Sequence, residues 1–378
     1  MGARVVFLLV CHPGGTSSFP GAEWDMSTDQ QVSVVVTSHN SGEALVATLR
    51  ALEGSSLIAA IHLVDSGSED GMPDRVAELF KNVMVTKLGS NRGPCATRNR
   101  GLELCSTPWV LLLDDDTVIT EEGLKLLLQA AAADERLAMV GPRITFEGDA
   151  ERVQYEGGLW HFTGLPHMLN LERVVPPGDN RFVDVLTSGC VLVRREHILA
   201  AGGFDENLFF LMEDVELSVR LKLLGLRLMV VPSARAVNQG NSEGLSLKTY
   251  LPYPKRRVFL HSRNRCLLLI SCYRPFTLFL LSPALAIMEA AWFLFALREG
   301  AISSYLLGKL DVLKRLRKAR ARRSSLLPMR VLEDNALLTA PSLTLTESAL
   351  RKPFARPMLK VLNASLSFYC GAVSGVVR

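Results

Sequence analysis

The sequence predicts an α/β protein in which a mostly parallel sheet is flanked by helices and followed by a C-terminal helical region. Unbroken apolar runs typical of buried strands alternate with amphipathic segments typical of helices. Several runs end in polar or acidic residues, and ligands of such sheets bind beyond the carboxyl ends of the strands. The composition, 48% hydrophobic and 21% charged over 378 residues, provides for a substantial core.

The first two units each consist of a strand, a polar turn and a helix. Residues 32–36 predict a strand, TSHNSG a loop, and residues 44–52 a helix. Residues 61–64 predict the second strand, which runs into the acidic turn DSGSEDG. The next helix begins near Pro73, because proline is favoured in a first helical turn. Its predicted buried face comprises Val76, Leu79 and Phe80.

The later units extend the same pattern. Strands are predicted at residues 83–86, 109–113, 186–194 and 228–231, and helices at 121–133 and 213–224. Thr37, Asp65 and Asp114 each follow the end of a predicted strand. We therefore expect these three side chains to face one crevice.

Three adjacent carboxylates, Asp114, Asp115 and Asp116, follow the fourth predicted strand. Like charges raise each other's pKa and cost stability unless a cation or hydrogen bonds offset them. Mg²⁺ commonly takes one or two carboxylates together with substrate phosphates. The triplet therefore predicts either a cation site or an acidic turn in water, and the nearby Asp65 favours the cation site.

A second acidic pair, Glu213 and Asp214, opens the helix predicted at residues 213–224. Acids in a first turn are stabilised by the helix dipole, which alone can account for the pair. The same dipole keeps a carboxylate ionised, as a general base for a hydroxyl group requires. The residues themselves leave both interpretations open.

Six blocks in order carry a resemblance to a known family. They are VSVVVTSHN, VDSGSEDG, NRGPCATRNRG, WVLLLDDDT, SGCVLVRRE and GGFDENLFFLMEDVELSVRLKLLG. Together, over about residues 31–265, they resemble the family 2 glycosyltransferases of the GT-A fold, especially the rhamnosyltransferase-like members. The resemblance implies a Rossmann-like domain that moves a sugar, with inversion, from a nucleotide-diphosphate sugar to a hydroxyl of a glycan or lipid-linked acceptor.

The resemblance also implies roles for the acidic residues. Asp214 matches the acid that deprotonates the acceptor hydroxyl. Asp114 and Asp116 match the acids that hold a divalent metal, Mg²⁺ or Mn²⁺. Asn238 stands where family members commonly carry a metal-binding histidine, and its amide oxygen is a hard ligand that suits Mg²⁺.

Further positions match the nucleotide-sugar site of the family. They are Thr37, His39, Asn40, Asp65, Gly67, Arg98, Asn99, Asp114, Asp115 and Gly189. Asp65 matches the acid that hydrogen-bonds the base, while Arg98 and Asn99 match a pair near the nucleotide. Gly189 should let the backbone approach the donor sugar, because glycine permits close contact. Trp160 predicts either a platform for a sugar face or a core residue.

A membrane-associated region is predicted after the sheet. Residues 275–297 are long and apolar enough to span a bilayer, but Pro283 and Glu289 interrupt them. A full span would place the basic segment 309–323 on the far side, against the positive-inside tendency. We therefore expect helices lying in the interface at the cytoplasmic face of the cell membrane, as in a peripheral or monotopic protein. A buried helical hairpin is the alternative.

Four regions are predicted: an N-terminal extension at residues 1–30, the catalytic domain at 31–250, an amphipathic helical region at 251–325 and a tail of unassigned role at 326–378. The net charge of +4 arises from one local basic segment, so no nucleic-acid partner is expected. The seven cysteines lack CxxC spacing and predict reduced thiols that fill the core.

The predicted function is glycosyl transfer in the synthesis of a cell-surface polysaccharide. One alternative is a sugar-nucleotide nucleotidylyltransferase, which would need a basic, glycine-rich loop after the first strand. The loop TSHNSGEA contains no lysine or arginine. The other alternative is a non-catalytic sugar-nucleotide-binding protein, suggested by the missing histidine.

Overall fold

The computed structural model describes residues 31–240, 254–343 and 355–377. The predicted N-terminal extension lies outside these described residues. The strands are β1 (Val32–Ser38), β2 (Ile58–Asp65), β3 (Val83–Lys87), β4 (Trp109–Asp114), β5 (Thr117–Ile119), β6 (Leu137–Phe146), β7 (Asp149–Tyr155), β8 (Gly158–His161), β9 (Leu165–Met168), β10 (Arg181–Val183), β11 (Cys190–Arg194) and β12 (Arg227–Asn238). The helices are α1 (Glu43–Arg50), α2 (Met72–Leu79), α3 (Gly93–Leu104), α4 (Glu121–Ala131), α5 (Arg195–Ala200), α6 (Glu213–Leu223), α7 (Lys255–Cys272), α8 (Pro275–Arg298), α9 (Ile302–Leu326) and α10 (Ala355–Ser374).

In the described part of the chain, ten strands form one sheet, whose main path runs β10-β12-β6-β11-β4-β1-β2-β3. The neighbours β3, β2, β1 and β4 are parallel. Strand β11 is antiparallel to both β4 and β6, and β12 is parallel to β6, so β6 and β12 run in the same direction as β4. The predicted mostly parallel sheet is therefore confirmed, and the carboxyl ends of β1, β2 and β4 meet at one edge.

Both faces of the sheet are covered by apolar packing. In β4, Leu111 and Leu113 join one buried cluster, whereas Val110 and Leu112 join the cluster on the opposite face. A strand buried on both faces needs apolar residues at every position, which is why this segment reads as an unbroken run. The six described cysteines are free and five of them are buried, as expected for core residues.

Three details differ from the sequence predictions. Leu79 is 50% exposed, so its predicted place in the buried face of α2 is wrong. Of the three predicted residues, Val76 and Phe80 face the core, and Leu79 is the last residue of the helix. The strand expected at 186–194 begins only at Cys190, since residues 187–189 form a turn. The strand expected at 228–231 continues to Asn238, which brings that residue to the ligand edge of the sheet.

A second core joins the sheet region to the C-terminal helices. It contains Trp160, Phe162 and Tyr273 together with residues of α6, α7, α8 and α10. Trp160 is fully buried, and its indole nitrogen donates to the carbonyl oxygen of Leu337 at 3.0 Å. It is therefore a core residue, and a role as a sugar platform is wrong.

The helices α7 and α9 pack closely at Gly308. A Cβ atom there would lie 2.1 Å from Ser262 Oγ and 2.6 Å from the carbonyl oxygen of Phe259. No side chain fits in that space, so glycine is required for the contact. The hydroxyl of Tyr369 on α10 donates to the carbonyl oxygen of Leu280 on α8, which fastens α10 to the same helical layer.

Many exposed side chains of these helices are apolar. We call this set the apolar platform; its residues are Phe276, Phe279, Ile287, Phe293, Leu294 and Leu297 on α8, Leu306, Leu307, Leu310 and Leu313 on α9, and Met358, Val361 and Phe368 on α10. Glu289 does not interrupt it. That carboxylate turns inward to Arg265 at 2.5 Å and Lys309 at 2.6 Å. By length and composition α8 could cross a membrane. Only 11% of its most apolar 18-residue stretch is buried inside the protein.

The basic segment 309–323 divides between the interior and the surface. Four of its side chains donate to main-chain carbonyls inside the protein: Lys309, Arg315, Arg322 and Arg323. The other four are exposed: Lys314, Arg317, Lys318 and Arg320. Only half of the segment is therefore available to headgroups, because helical periodicity turns the other half toward α7 and the sheet region.

A buried ion-pair cluster connects α6 to α9. The Glu216 carboxylate lies 2.7 Å from Arg220 and 3.1 Å from Arg322. Burial alone would raise the pKa of Glu216, but the two guanidinium groups outweigh it and lower the pKa to about 2. The folded state therefore holds this group ionised at pH values where the unfolded chain is protonated.

We expect this cluster to govern part of the acid sensitivity of the protein. Its stabilisation is fully present above the ordinary glutamate pKa and is lost as the pH falls from about 5 toward 2. Relative to Glu216→Gln, the wild-type advantage in unfolding free energy should shrink by roughly 3 kcal/mol over that range. Urea unfolding at several pH values measures it. The control is Glu196→Gln, at an exposed carboxylate 3.8 Å from Arg194; a wild-type advantage over Glu216→Gln that stays constant with pH would contradict the assignment.

Candidate active site

A cavity of about 290 Å³ opens at the carboxyl ends of β1 and β4. It is lined by Thr37, Ser38, His39, Asn40, Ser41, Ser66, Asn91, Gly93, Pro94, Thr97, Arg98, Asp114, Asp115, Asp116, Phe209, Phe210 and Arg256. These residues come from the ends of β1 and β4 and the segments after them, the loops after β2 and β3, the start of α3, the loop before α6 and the start of α7. Thr37 and Asp114 therefore line one crevice as predicted from the strand ends, whereas Asp65, which was predicted to face the same crevice, does not line it.

Asp114 is partly accessible, with 34% of its side chain exposed. The parallel register of β1 and β4 sets Thr37 beside it, and the threonine hydroxyl donates to Asp114 Oδ1 at 3.2 Å. Arg98 donates to the same oxygen at 2.7 Å. A Cβ on Gly189 would lie 3.0 Å from the other oxygen, so the predicted close backbone approach at Gly189 is toward Asp114.

Arg98 is the central cation of the site. Its guanidinium group is buried, stacks at 5.5 Å on the ring of Phe204, and bonds Asp114 through one nitrogen and Glu213 at 3.1 Å through another. The carboxyl end of β4 and the start of α6 therefore meet at one guanidinium group. Burial and the neighbouring Asp214 raise the pKa of Glu213 to about 7, although Arg98 opposes the shift.

Asp115 turns away from its two neighbours and holds the loop after β1. Its carboxylate accepts from the main-chain N–H of His39 at 3.3 Å and from the hydroxyl of Ser41. Burial raises the pKa of Asp115 to about 7, and the adjacent carboxylates of Asp114 and Asp116 add to the rise. The three carboxylates thus have separate partners, and hydrogen bonds offset part of their repulsion.

Asp116 is 4% exposed and lies beside Asn238. The pairing of β5 with β12 sets Asn238 opposite Thr117, and the amide nitrogen of Asn238 donates to Asp116 Oδ1 at 3.1 Å. The amide oxygen of Asn238 accepts from the N–H of Gly240 at 2.9 Å. For Asn238 to bind a cation next to Asp116, its amide would have to turn and release Gly240.

The donor set at this edge suits a hard cation only in part. Among the described residues, no three His, Cys, Asp or Glu side chains are grouped so that they could hold a metal ion by themselves. The donors available here are all oxygens, from Asp114, Asp116 and the Asn238 amide. Oxygen donors fit Mg²⁺ or Mn²⁺ when substrate phosphates complete the coordination shell.

His39 and Asn40 lie on the cavity wall as expected. The side-chain amide nitrogen of Asn91 lies 2.7 Å from His39 Nε2, which orients the imidazole. Asn40, with a left-handed φ of 52°, accepts from the main-chain N–H of Glu69 at 2.8 Å and donates its own to Ser68 at 2.9 Å. The loops after β1 and β2 are therefore joined at the rim.

Asp65 and Gly67 support the rim and do not line the cavity. The Asp65 carboxylate, 2% exposed, accepts from the main-chain N–H groups of Gly67 and Ser68, each at 3.1 Å. Gly67 has a φ of 71°, and a Cβ there would meet the Ser90 backbone at 2.6 Å. Glycine is therefore required at position 67 by the close approach of the two loops.

The structure does not bring Asn99 to the cavity. Its amide nitrogen donates to the carbonyl oxygen of Phe204 at 3.0 Å, and its oxygen accepts from the N–H of the same residue at 2.8 Å. Successive residues of a helix point about 100° apart. Arg98 faces the crevice, whereas Asn99 faces the loop before α6.

Asp214 is near the cavity but does not line it. It occupies the second position of α6, where its carboxylate accepts from the N–H of Val215 at 2.7 Å and from the hydroxyl of Thr187. Burial raises the pKa of Asp214 above its ordinary value. Thr187 begins the turn that ends at Gly189, so Asp214 and Asp114 contact opposite ends of one three-residue turn.

Several lining residues were missed by sequence reasoning, notably Phe209, Phe210 and Arg256. Arg256 comes from the first turn of α7, is exposed, and stacks at 5.5 Å on the ring of Phe209. The only sequence signal was the basic start of that helix, KRR at residues 255–257. Its position at the cavity depends on packing between segments far apart in the chain.

Comparison with known proteins places these residues in context. Residues 33–196 match the family model described as glycosyl transferase family 2. The chain is 27% identical over 262 residues to N-acetylglucosaminyl-diphospho-decaprenol L-rhamnosyltransferase of Mycobacterium tuberculosis, covering 61% of this chain and 84% of that protein. It is 31% identical over 209 residues to pre-mycofactocin glycosyltransferase of the same organism, covering 54% of this chain and 42% of that protein.

Two solved structures show a weaker likeness. The mannosyltransferase PcManGT from Pyrobaculum calidifontis, in complex with GDP-Man and Mn²⁺, is 16% identical with a TM-score of 0.46, covering 93% of this chain and 90% of that chain. GalNAc-T7 with UDP, GalNAc and Mn²⁺ is 20% identical with a TM-score of 0.48, covering 62% of this chain and 48% of that chain.

Proposed function

Because the chain is a family 2 glycosyltransferase that uses a nucleotide sugar in polysaccharide synthesis, we propose that it inverts the anomeric centre with the help of a divalent metal and acts on a lipid-linked acceptor. The observation that carries the proposal is the junction at Arg98. One buried guanidinium group joins the carboxylate of Asp114 to the start of the helix that bears Asp214. The family match argues against the nucleotidylyltransferase alternative.

In this proposal Asp214 is the general base. It accepts a proton from the acceptor hydroxyl, whose oxygen attacks the anomeric carbon as the bond from that carbon to the diphosphate oxygen breaks. The N-terminus of α6 supports the anionic form, and the pKa raised by burial makes the carboxylate a stronger base. Thr187 orients the carboxylate through its hydroxyl.

The diphosphate would lie over Asp114 and Asp116. These two carboxylates, with the amide oxygen of Asn238 after it turns, would hold Mg²⁺ or Mn²⁺. A bound cation supplies positive charge that stabilises the leaving diphosphate. Thr37, His39, Asn40 and Asp115 form the wall on the nucleoside side, while Asp65 and Gly67 shape the loop behind it.

The assay that tests the function uses the purified full chain. It is incubated with Mg²⁺ or Mn²⁺, a panel of nucleotide sugars and a polyprenyl-diphosphate-linked sugar, and released nucleoside diphosphate is measured. Proton NMR of the product reports the anomeric configuration. Inverted product with one donor and metal-dependent turnover supports the proposal. Binding of a nucleotide sugar without transfer would instead indicate the non-catalytic alternative, and retained configuration would overturn the mechanism.

Arg256 is proposed as a second cation for the diphosphate. It lines the cavity, and its guanidinium group stacks on the Phe209 ring and forms no ion pair with the described residues. We expect Arg256→Ala to weaken the binding of uridine, thymidine or guanosine diphosphate, whichever binds wild type, about tenfold, as for loss of one charge-assisted hydrogen bond. The affinity of Arg256→Ala for the corresponding nucleoside monophosphate should fall by less. Lys255→Ala, one residue earlier and outside the cavity lining, is the control for calorimetry; equal losses in both variants would refute the role.

The proposed location is the cytoplasmic face of the cell membrane, held by the apolar platform. Three helices contribute apolar side chains to the platform. On α9 the exposed lysines and arginines follow the exposed leucines along the helix. Apolar burial in the acyl region with basic residues at the headgroups is the pattern of interfacial binding. A lipid-linked acceptor would then be presented at the same surface.

Vesicle flotation tests this location. Wild type should float with vesicles that contain anionic lipid, and the double variant Leu310→Glu and Leu313→Glu should lose most of that binding, because two carboxylates would enter the apolar region. Leu79→Glu, at an exposed leucine on α2, serves as the control. Failure of the wild-type protein to float would remove the membrane proposal.

A further inference from the structure

The loop that leads into α6 has an unusual backbone conformation. Phe209, Leu211 and Met212 have φ values of 65°, 66° and 69°. Residues with a Cβ are strained in this left-handed region. Such a conformation persists only when the surrounding structure enforces it, and it occurs often at functional sites. Met212 is the N-cap of α6, so the strain lies immediately before the helix that carries Asp214.

One buried side chain holds most of this loop. Asn264 of α7 is fully buried, and its amide nitrogen lies 2.9, 2.8 and 2.6 Å from the carbonyl oxygens of Leu208, Phe210 and Leu211. Its amide oxygen accepts from Arg263 Nε at 2.8 Å. Carbonyl oxygens only accept and the guanidinium group only donates, so both ends of the amide are fixed.

The loop is also confined from the opposite side by α3. The thiol of Cys95 lies 3.3 Å from the carbonyl oxygen of Phe209. A Cβ on Gly93 would lie 2.7 Å from the Phe209 ring, so the loop packs directly on the start of that helix. The chain between Leu208 and Met212 is thus packed against α3 and hydrogen-bonded to α7.

We propose that Asn264 is a positioning residue for catalysis: by holding three carbonyl groups of the strained loop, it fixes the direction in which α6 begins and so the place of the Asp214 carboxylate. This inference rests on the proposed function, in which Asp214 is the base. Without the amide, the carbonyls of Phe210 and Leu211 lose this donor, while that of Leu208 keeps its bond from Arg263 at 2.7 Å. The loop can then relax toward negative φ. Asp214 follows Met212 by two residues and would move with it.

The chain offers a matched control for the loss of such an amide. Asn363 of α10 likewise bonds main-chain groups of a neighbouring segment, accepting from the N–H of Leu343 at 2.9 Å and donating to its carbonyl oxygen at 3.0 Å. It does not contact the cavity. Asn363→Ala therefore reports the general cost of losing an asparagine that ties two segments together.

The test compares Asn264→Ala with Asn363→Ala below the unfolding temperature of both. We expect kcat of Asn264→Ala to fall about 100-fold, as for a misplacement of about 1 Å at a reacting group, while the affinity for the nucleoside diphosphate falls far less than kcat. Asn363→Ala should keep the wild-type kcat. Adding Leu211→Gly to Asn264→Ala should restore part of kcat, because glycine adopts positive φ without strain.

The inference is overturned if kcat falls equally in the two alanine variants, or if nucleotide affinity falls as much as kcat. Should Asn264→Ala not fold, Asn264→Ser, which keeps one donor, must show the same selective loss of kcat to a smaller degree. Wild-type protein without transferase activity would refute the proposed function; an active wild type with a fully active Asn264→Ala would refute this inference alone.

Discussion

Asp214→Asn is expected to abolish sugar transfer, with kcat lower by about 10³-fold or more, while nucleoside diphosphate binding stays nearly intact. The amide has the size of the carboxylate and can still accept from Thr187, but it cannot take up the proton of an acceptor hydroxyl. General-base catalysis is worth about 10²–10⁴-fold. Released nucleoside diphosphate and calorimetric binding, measured on the same preparation, separate the two effects.

A control for this substitution lies near the other end of the same helix. Asp184 pairs with Lys222 of α6 at 2.5 Å and is partly buried, so Asp184→Asn makes the same chemical change without touching the crevice. It should leave kcat at the wild-type value. An Asp214→Asn enzyme with the wild-type rate would end the assignment of Asp214 as the base.

Arg98→Leu is expected to have the largest effect on stability. It leaves the buried Glu213 and the half-buried Asp114 without their shared cation, and breaking one partner of a buried ion pair costs about 3–5 kcal/mol. The pKa of Glu213, already about 7, rises further when the guanidinium group is lost. The loss should therefore be smaller at pH 5, where Glu213 takes up a proton, than at pH 8, where it is forced to ionise.

Urea unfolding followed by circular dichroism measures this effect. Arg100→Leu is the matched control on the same helix, since Arg100 forms an exposed pair with Glu103 at 2.9 Å, worth below about 1 kcal/mol. Equal stabilities of the two variants, or a loss for Arg98→Leu that does not depend on pH, would contradict the role of the buried guanidinium group.

The strand ends were predictable because burial imposes a pattern on the sequence. Strands such as β1 and β4 must be apolar at nearly every position when both faces are covered, and their parallel register sets Thr37 beside Asp114. The crevice and most of its rim therefore follow from local sequence. The family resemblance added the order of the six blocks, and the family match over residues 33–196 covers the first five of them.

The contacts inside the site were not predictable from local sequence. Arg98 and Glu213 are 115 residues apart, and nothing in either segment specifies the other. The triplet of acids suggested a single cation site, yet Asp115 bonds the loop after β1 and Asp116 bonds Asn238. The direction of a side chain in a turn depends on the segments packed against it. Interpreting the sequence one strand at a time does not show which segments these are.

The C-terminal helices show the same limit. The density of basic residues at 309–323 suggested a surface for headgroups, but Arg315 and Arg322 donate to the carbonyl oxygens of Asn207 and Gly203 in the loop before α6. From the sequence, an arginine or lysine that faces solvent cannot be distinguished from one whose head group donates to a buried carbonyl. Only the packing of α9 against α7 distinguishes the two groups.

The hydrogen bonds from α7 and α9 to the loop before α6 have a practical consequence. A shortened expression fragment that stops near residue 250 would remove Arg263, Asn264 and Arg322 and would expose Trp160, so the sheet region would fold poorly or be inert.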